Sequence, residues 1–184
     1  MNNKITVNKV KYQKTDNKIL VEYLIQRNRQ FDAVKLLSSE EAAPEFYNAL
    51  DMLIPSVCEI LELPRELFED RITPLAVAFK YDAAGNMGAI ITSALYLPGT
   101  KEEVAVNTPL HWCRKNAEGA HVSFADGTEE RLRELESETR RYINGQRAQM
   151  SLFGKEPTAN EAPVDSDAAK QAAQMIPFPE TMAQ

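Results

Sequence analysis

Two neighbouring stretches decide the fold: ITPLAVAFKYD at residues 72–82 and MGAIITSALYL at residues 87–97. In the first, apolar residues alternate with other residues at Leu75, Val77, Phe79 and Tyr81. This period of two is typical of a strand with one buried face. The residues between the stretches, 82–86, form a turn-type loop in which Gly85 can adopt a positive φ. The sequence therefore predicts an antiparallel β-hairpin here.

A second hairpin is predicted at the N-terminus. ITVNKVKYQ at 5–13 alternates in the same way, and KILVEYLIQ at 18–26 follows the turn-type cluster TDNK. Further along, VAVNTPLHW at 104–112 is predicted to be another strand, and HVSF at 121–124 a short edge strand. Residues 31–44 carry a weaker pattern, which we interpret as a connection.

Two segments have helical periodicity. Between Pro44 and Pro64, apolar residues share one helix face at Phe46, Leu50, Leu53, Ile54, Val57 and Leu61. Because proline disrupts a helix interior, Pro55 should kink this helix or split it in two. The second segment is DGTEERLRELESETRRYINGQ at 126–146, with Asp126 as the expected N-cap and Gly145 as the stop. Its arginines and glutamates are predicted to form a solvent-exposed face.

The order of elements predicts an α+β fold: a mostly antiparallel sheet with helices packed on one face, followed by a disordered C-terminal tail. We place the globular domain at residues 1–146. The remaining residues, 147–184, are poor in large apolar side chains and rich in Ala, Pro and acids, which is typical of a flexible tail.

Composition excludes several classes of protein. The 184 residues contain no long apolar run and no apolar region near the N-terminus, so neither a transmembrane helix nor a signal peptide is expected. Two cysteines, Cys58 and Cys113, are expected as free thiols in a cytoplasmic protein.

The net charge of −6 is unevenly distributed. Residues 1–36 carry a net charge of +5, which leaves −11 on the remainder. Lys9, Lys11, Lys14 and Lys18 are therefore candidate DNA contacts. The alternative is that these lysines protect a pair of edge strands from aggregation.

No motif in the chain indicates an enzyme. Neither the glycine-rich nucleotide-binding patterns nor G-x-S-x-G occurs. His111, Cys113 and His121 do not have the spacing of a common zinc site. We expect no catalytic residue, no metal and no cofactor.

One apolar cluster follows the last predicted helix, where no core remains to bury it: Gln149, Met150, Ser151, Leu152 and Phe153. This QMSLF peptide resembles the Gln-Leu-[Ser/Asp]-Leu-Phe motif by which bacterial polymerases and repair proteins bind the replicative sliding clamp. Only Met150 departs from the pattern, and methionine fits irregular apolar pockets. The resemblance implies that the leucine and the aromatic ring enter a pocket while the glutamine forms hydrogen bonds.

Two further observations bear on this interpretation. Leu152 and Phe153 have an alternative role, folding back on the core to fasten the last helix. A partial echo, AAQMIPF at 172–178, repeats the motif at Gln174, Met175 and Phe178, either as a second docking peptide or by coincidence.

The globular part resembles small proteins of bacterial viruses and prophages that are encoded among replication and recombination genes and have no assigned activity. The segment ITPLAVAFKYDAAGNMGAIITSALYL and the later VNTP carry this resemblance. We therefore expect a non-enzymatic replication or recombination accessory protein of a bacteriophage. Its expected partners are the host clamp and a viral replication or recombination protein. The alternative is a DNA-binding or clamp-like processivity module that uses the basic hairpin.

Overall fold

The computed structural model describes residues 4–27, 30–113 and 127–147. The strands are β1 Lys4–Gln13, β2 Lys18–Arg27, β3 Gln30–Ser38, β4 Ile72–Tyr81, β5 Met87–Leu97, β6 Glu102–Asn107 and β7 His111–Trp112. The helices are α1 Pro44–Asp51, α2 Ile54–Ile60, α3 Arg65–Phe68 and α4 Thr128–Ile143, and a 3₁₀ turn covers Glu69–Arg71.

All of the described strands join one antiparallel sheet in the order β3-β2-β1-β4-β5-β6, and the short β7 also pairs with β5. The predicted α+β class is therefore confirmed. The predicted central hairpin is β4–β5, and its loop has the expected chemistry. Asp82 Oδ1 accepts hydrogen bonds from the backbone N–H groups of Ala84 and Asn86 at 2.9 and 2.8 Å, and Gly85 has φ +83°.

The prediction for residues 31–44 was wrong in part. Residues 30–38 form β3, which pairs with β2 along its whole length. The period-two signal here is short because only Val34 and Leu36 are apolar on the core side. As a consequence, the basic hairpin β1–β2 is not an edge pair, since β1 lies between β2 and β4.

The first helical segment is split, as the position of Pro55 predicts. α1 begins at Pro44, and α2 begins at Ile54 with Pro55 in its first turn, where the missing N–H costs nothing. Met52 and Leu53 lie between the two helices. Leu53 is fully buried, so the break keeps the apolar face continuous.

α4 differs from its prediction at two points. The N-cap is Gly127, with φ +83° and no side-chain cap, rather than Asp126, which lies outside the described residues. The predicted solvent-exposed face is also partly wrong, because Glu136 and Glu138 are buried. Gly145, with φ +90°, ends the helix as predicted, and its N–H donates to the Tyr142 carbonyl at 3.1 Å.

The core lies between one face of the sheet and the helices. Its fully buried side chains include Val7, Val10, Ile19, Val21, Phe46, Leu53, Phe79, Ile91, Leu132, Leu135 and Tyr142. Each large side chain buried this way contributes about 1.5–3 kcal/mol to folding. No described helix covers the opposite face, which we call the helix-free face.

Candidate functional site

The two predicted docking peptides lie outside the described residues. Gln149–Phe153 and the echo at Gln174, Met175 and Phe178 both follow Arg147, the last residue that the structure describes. The four candidate lysines of the N-terminal hairpin are all described. The candidate regions are therefore three: the attachment point of the C-terminal peptide, the helix-free face and a cleft beside the helices.

Arg147 fastens the chain two residues before the QMSLF peptide. Its backbone forms an antiparallel bridge with Ala42, and its Nη1 lies 2.5 Å from Glu40 Oε2. Its guanidinium carbon stands 4.7 Å from the ring centroid of Tyr142, a cation–π distance. Tyr142 in turn donates from its hydroxyl to the Glu40 carbonyl at 2.7 Å. Arg147 is therefore held firmly next to the N-terminus of α1.

The structure separates the four predicted lysines into two pairs. Lys9 and Lys11 are half-buried in β1 and point to the helix-free face, opposite Glu22 and Leu20 of β2. Lys14 and Lys18 lie at the turn end of the hairpin and are in ion pairs. Lys14 Nζ is 3.2 Å from Glu103 Oε1, and Lys18 Nζ is 3.9 Å from Asp16 Oδ2. Such exposed pairs contribute little to stability.

The helix-free face is basic. Residues directly opposite in an antiparallel pair point to the same side of a sheet, so the registers assign every strand residue to a face. Among the described strand residues, this face carries six lysines against two glutamates: Lys4, Lys9, Lys11, Lys18, Lys35 and Lys80 against Glu22 and Glu103. The acidic excess of the chain therefore lies elsewhere.

Aromatic side chains share this basic face. Trp112 lies opposite Gly88, and a Cβ atom on that glycine would come within 2.7 Å of Trp112 Cε3. The indole ring thus rests on the glycine. Tyr96 of β5 and Phe31 of β3 point to the same side and are 40% and 64% exposed. The sequence analysis missed these residues, because only the strand registers show that they share a face with the lysines.

A cleft of about 590 Å³ lies on the helical side. Its walls are Asn48, Asp51, Met52, Ile54, Pro55, Arg65, Glu69, Asp70 and Arg131. Arg131 of this wall is held in place, since its Nη1 donates to buried Ser56 at 3.1 Å, and Ser56 also shares a 2.8 Å hydrogen bond with Thr128. These bonds fasten the start of α4 to α2. The charged groups of both signs around the cleft give it no clear preference for a ligand.

The buried carboxylate of Glu136 accepts hydrogen bonds from two described side chains. Tyr81 donates to Glu136 Oε1 at 2.7 Å, and Arg140 Nη2 donates to the same oxygen at 2.7 Å. Burial is the main cause that raises the pKa of Tyr81, and the bond to Glu136 raises it further. Burial also raises the pKa of the Cys113 thiol to about 12 and that of Cys58 above its usual value. A thiol with a raised pKa is a poor nucleophile at neutral pH.

The candidate metal ligands are not brought together in the part of the chain that the structure describes. No group of three His, Cys, Asp or Glu side chains there could hold an ion. His111 Nδ1 lies 3.3 Å from the Pro109 carbonyl, and His121 is outside the described residues. Among the described helices, none has the length and apolar character needed to cross a bilayer.

No protein-family model, curated protein or solved structure matches the chain.

Proposed function

We propose that this protein is a non-enzymatic accessory factor of DNA replication or recombination that binds the bacterial sliding clamp through Gln149–Phe153. The observation that carries the proposal is the QMSLF peptide, which matches the clamp-binding pattern at four of its five positions. The resemblance of the globular part to small bacteriophage proteins supports a phage origin and action in the bacterial cytoplasm. A viral replication or recombination protein is the proposed second partner, held by the globular part.

The chemistry of the peptide suits this role. Burying Leu152 and Phe153 in a pocket contributes about 1.5–3 kcal/mol for each side chain, and ordering the peptide takes some of this back. A micromolar Kd, which corresponds to about −8 kcal/mol, is therefore the expected strength of a single peptide. Weak binding of this kind is useful on a ring with several identical pockets, because linked contacts reinforce one another.

Truncation of the two anchors tests the proposal. We expect Leu152→Ala combined with Phe153→Ala to abolish binding to a bacterial clamp, because roughly 3–5 kcal/mol of anchoring energy is lost. Calorimetric titration with full-length protein measures this. The melting midpoint should stay within about a degree of the parent, since exposed truncations cost only a few tenths of a kcal/mol.

Two matched variants sharpen the test. Gln149→Ala should weaken binding and leave stability unchanged, and Met175→Ala with Phe178→Ala reports whether the echo contributes. If Leu152 and Phe153 instead fasten the last helix, the double variant should lower the melting midpoint by several degrees. Unaltered clamp affinity in the double variant, or no affinity of the parent for any bacterial clamp, would refute the proposal.

A second candidate function is contact with nucleic acid through the helix-free face. The observation that favours it is the excess of lysines on this face together with Trp112 and Tyr96, since lysines meet phosphates and aromatic rings stack on bases. Of the four predicted contacts, Lys9, Lys11 and Lys18 lie on this face, and Lys14 lies in the following turn, where it pairs with Glu103. The acidic remainder of the chain should keep such binding weak at physiological salt.

Lysine replacement tests this candidate. We expect full-length protein to bind a fluorescent single-stranded oligonucleotide at low salt, with an affinity that falls steeply as salt rises. Replacing Lys9, Lys11 and Lys80 with glutamine should weaken binding and flatten the salt dependence. Lys101→Gln, in the β5–β6 turn, is the matched control. No anisotropy change at about 50 mM salt, where phosphate contacts are strong, would eliminate this candidate.

A further inference from the structure

β3 is an edge strand of the described sheet. It pairs with β2 on one side, and no described strand pairs with its other side. Its nine residues, Gln30–Ser38, contain no proline, and its pairing with β2 shows no register shift. Proteins usually shorten, bend or charge such edges, because exposed backbone N–H and C=O groups can pair with another strand. About 30 Å of regular edge is therefore available here.

Exposed apolar side chains accompany this edge. Phe31 and Leu37 are 64% and 56% exposed, and both point to the helix-free face. They stand near opposite ends of the strand, three residues on either side of Val34. The opposite edge of the sheet differs: β6 has only six residues and begins with Glu102 and Glu103, a charged end that protects an edge.

We infer that β3 pairs antiparallel with β3 of a second copy of this chain, with Val34 on the two-fold axis. Phe31 then lies opposite Leu37 of the partner subunit, and Leu37 lies opposite Phe31 of the partner subunit. The two most exposed large apolar side chains of the described sheet therefore cover each other at two symmetry-related places. The pairing adds about eight to ten backbone hydrogen bonds and joins two sheets into one.

The side-chain pattern selects this register over its neighbours. A two-fold axis perpendicular to the sheet keeps each face continuous, so opposite residues must belong to the same face. Moving the two-fold axis from residue 34 to residue 35 places Lys35 opposite Lys35 of the partner subunit, a repulsive pair. Moving the axis to residue 33 instead places Phe31 opposite the partner's Lys35 and leaves Leu37 beyond the end of the facing strand. Only the register centred on Val34 matches both apolar residues.

The charges of β3 favour a second copy over a charged partner. Asp32 lies 3.7 Å from Arg27, and Lys35 lies 3.4 Å from Glu22, so both charges of the strand are already paired within the chain. The edge is consequently close to neutral. It neither repels an identical strand nor attracts a strongly acidic or basic one. Self-pairing satisfies the exposed backbone and the exposed apolar side chains together.

The inference rests on β3 alone and does not depend on the proposed function. If both hold, each dimer carries two QMSLF peptides. Two linked peptides can occupy two pockets of one ring, which raises the overall affinity well above that of one peptide wherever the geometry permits both contacts.

The oligomeric state of the protein alone, with no clamp present, tests the inference. Light scattering during size exclusion should give the full-length protein a mass twice that of its 20.7 kDa chain at micromolar concentration. Phe31→Lys with Leu37→Lys should halve that mass and leave the circular dichroism spectrum unchanged. The matched control is Met52→Lys with Leu67→Lys, two side chains outside the sheet with similar exposure, at 51% and 59%. It should remain a dimer.

Cross-linking measures the register. In the inferred dimer the two copies of residue 34 have Cα atoms about 4.5–5.5 Å apart, within disulfide range. Mild oxidation of Val34→Cys should therefore yield a covalent dimer. Leu36→Cys should not, because its two copies are separated by about four residues along the strands, roughly 13 Å. The native Cys58 and Cys113 are buried, and the unaltered parent controls for them.

Three outcomes would overturn the inference. The first is a monomer at every concentration up to about 100 times the micromolar range. The second is a dimer that persists in the variant Phe31→Lys with Leu37→Lys. The third is equal cross-linking of the two cysteine variants. In the first case, a strand from a different protein would be the remaining candidate for this edge, through the mode by which sheets accept extended peptides.

Discussion

Gly88 shows how strongly one residue can determine a surface. Its lack of a side chain allows Trp112 to lie flat against β5, and the backbone N–H of the next residue, Cys113, donates to the Met87 carbonyl at 2.6 Å. The sequence contains no signal for this contact, because a glycine inside a strand also fits a bulge or a bend. The position of Trp112 on the helix-free face thus requires that residue 88 have no Cβ atom.

We expect Gly88→Ala to lower the free energy of unfolding by about 1–3 kcal/mol, the usual cost of overpacking. The added methyl would stand 2.7 and 2.9 Å from two indole carbons and 3.0 Å from the His111 carbonyl oxygen, so the ring must move. Urea denaturation followed by tryptophan fluorescence measures both effects, since Trp112 is the single tryptophan. Gly99→Ala, with no atom within 4 Å of the added group, should be nearly neutral. Equal stability of the two variants would contradict this account.

At the scale of elements, α4 is the clearest case of a partial prediction. Leu132, Leu135, Thr139 and Tyr142 are buried, as their spacing predicts. The burial of Glu136 and Glu138 could not be predicted, because an Arg/Glu pattern looks the same on an exposed face and on one that packs against Tyr81. β3 was missed for a related reason: its charged residues obscure a short alternating pattern, and its pairing with β2 determines its structure.

Glu138 and Glu134 form a matched pair on this helix. The Glu138 side chain is only 3% exposed and accepts from Arg141 Nη1 at 2.5 Å, whereas Glu134 is exposed. We expect Glu138→Gln to lower the free energy of unfolding by about 1–3 kcal/mol, because it removes a charge-assisted hydrogen bond in a buried setting. Glu134→Gln should change it by less than about 0.5 kcal/mol. Thermal unfolding near neutral pH compares the two, and similar midpoints would show that burial of Glu138 carries no energetic weight.

At the scale of the whole molecule, local patterns were enough to predict the class of fold but not the complete arrangement of the sheet. Both hairpins and both helical segments could be read from neighbouring residues. The position of β1 between β2 and β4 could not, since Lys9 pairs with Ala78 across 69 residues of chain. The excess of lysines on the helix-free face depends on the strand registers, so it could not be predicted from the sequence either. The proposed docking peptide is the reverse case, because the resemblance of QMSLF to a short linear motif is visible without any fold.

The pairing of β1 with β4 has a consequence for how the chain folds. Each hairpin closes through a short turn and can form within microseconds, whereas joining the two requires closure of a long loop. The docking of one hairpin on the other should therefore limit the folding rate. Val10 and Val77 face each other across that junction, and Val10→Ala should slow refolding more than a substitution in the β4–β5 turn, such as Ala83→Gly. Stopped-flow refolding would reveal the difference. Until the junction closes, the exposed edges of two half-sheets face the solvent, and that interval is when this chain is most open to misassembly.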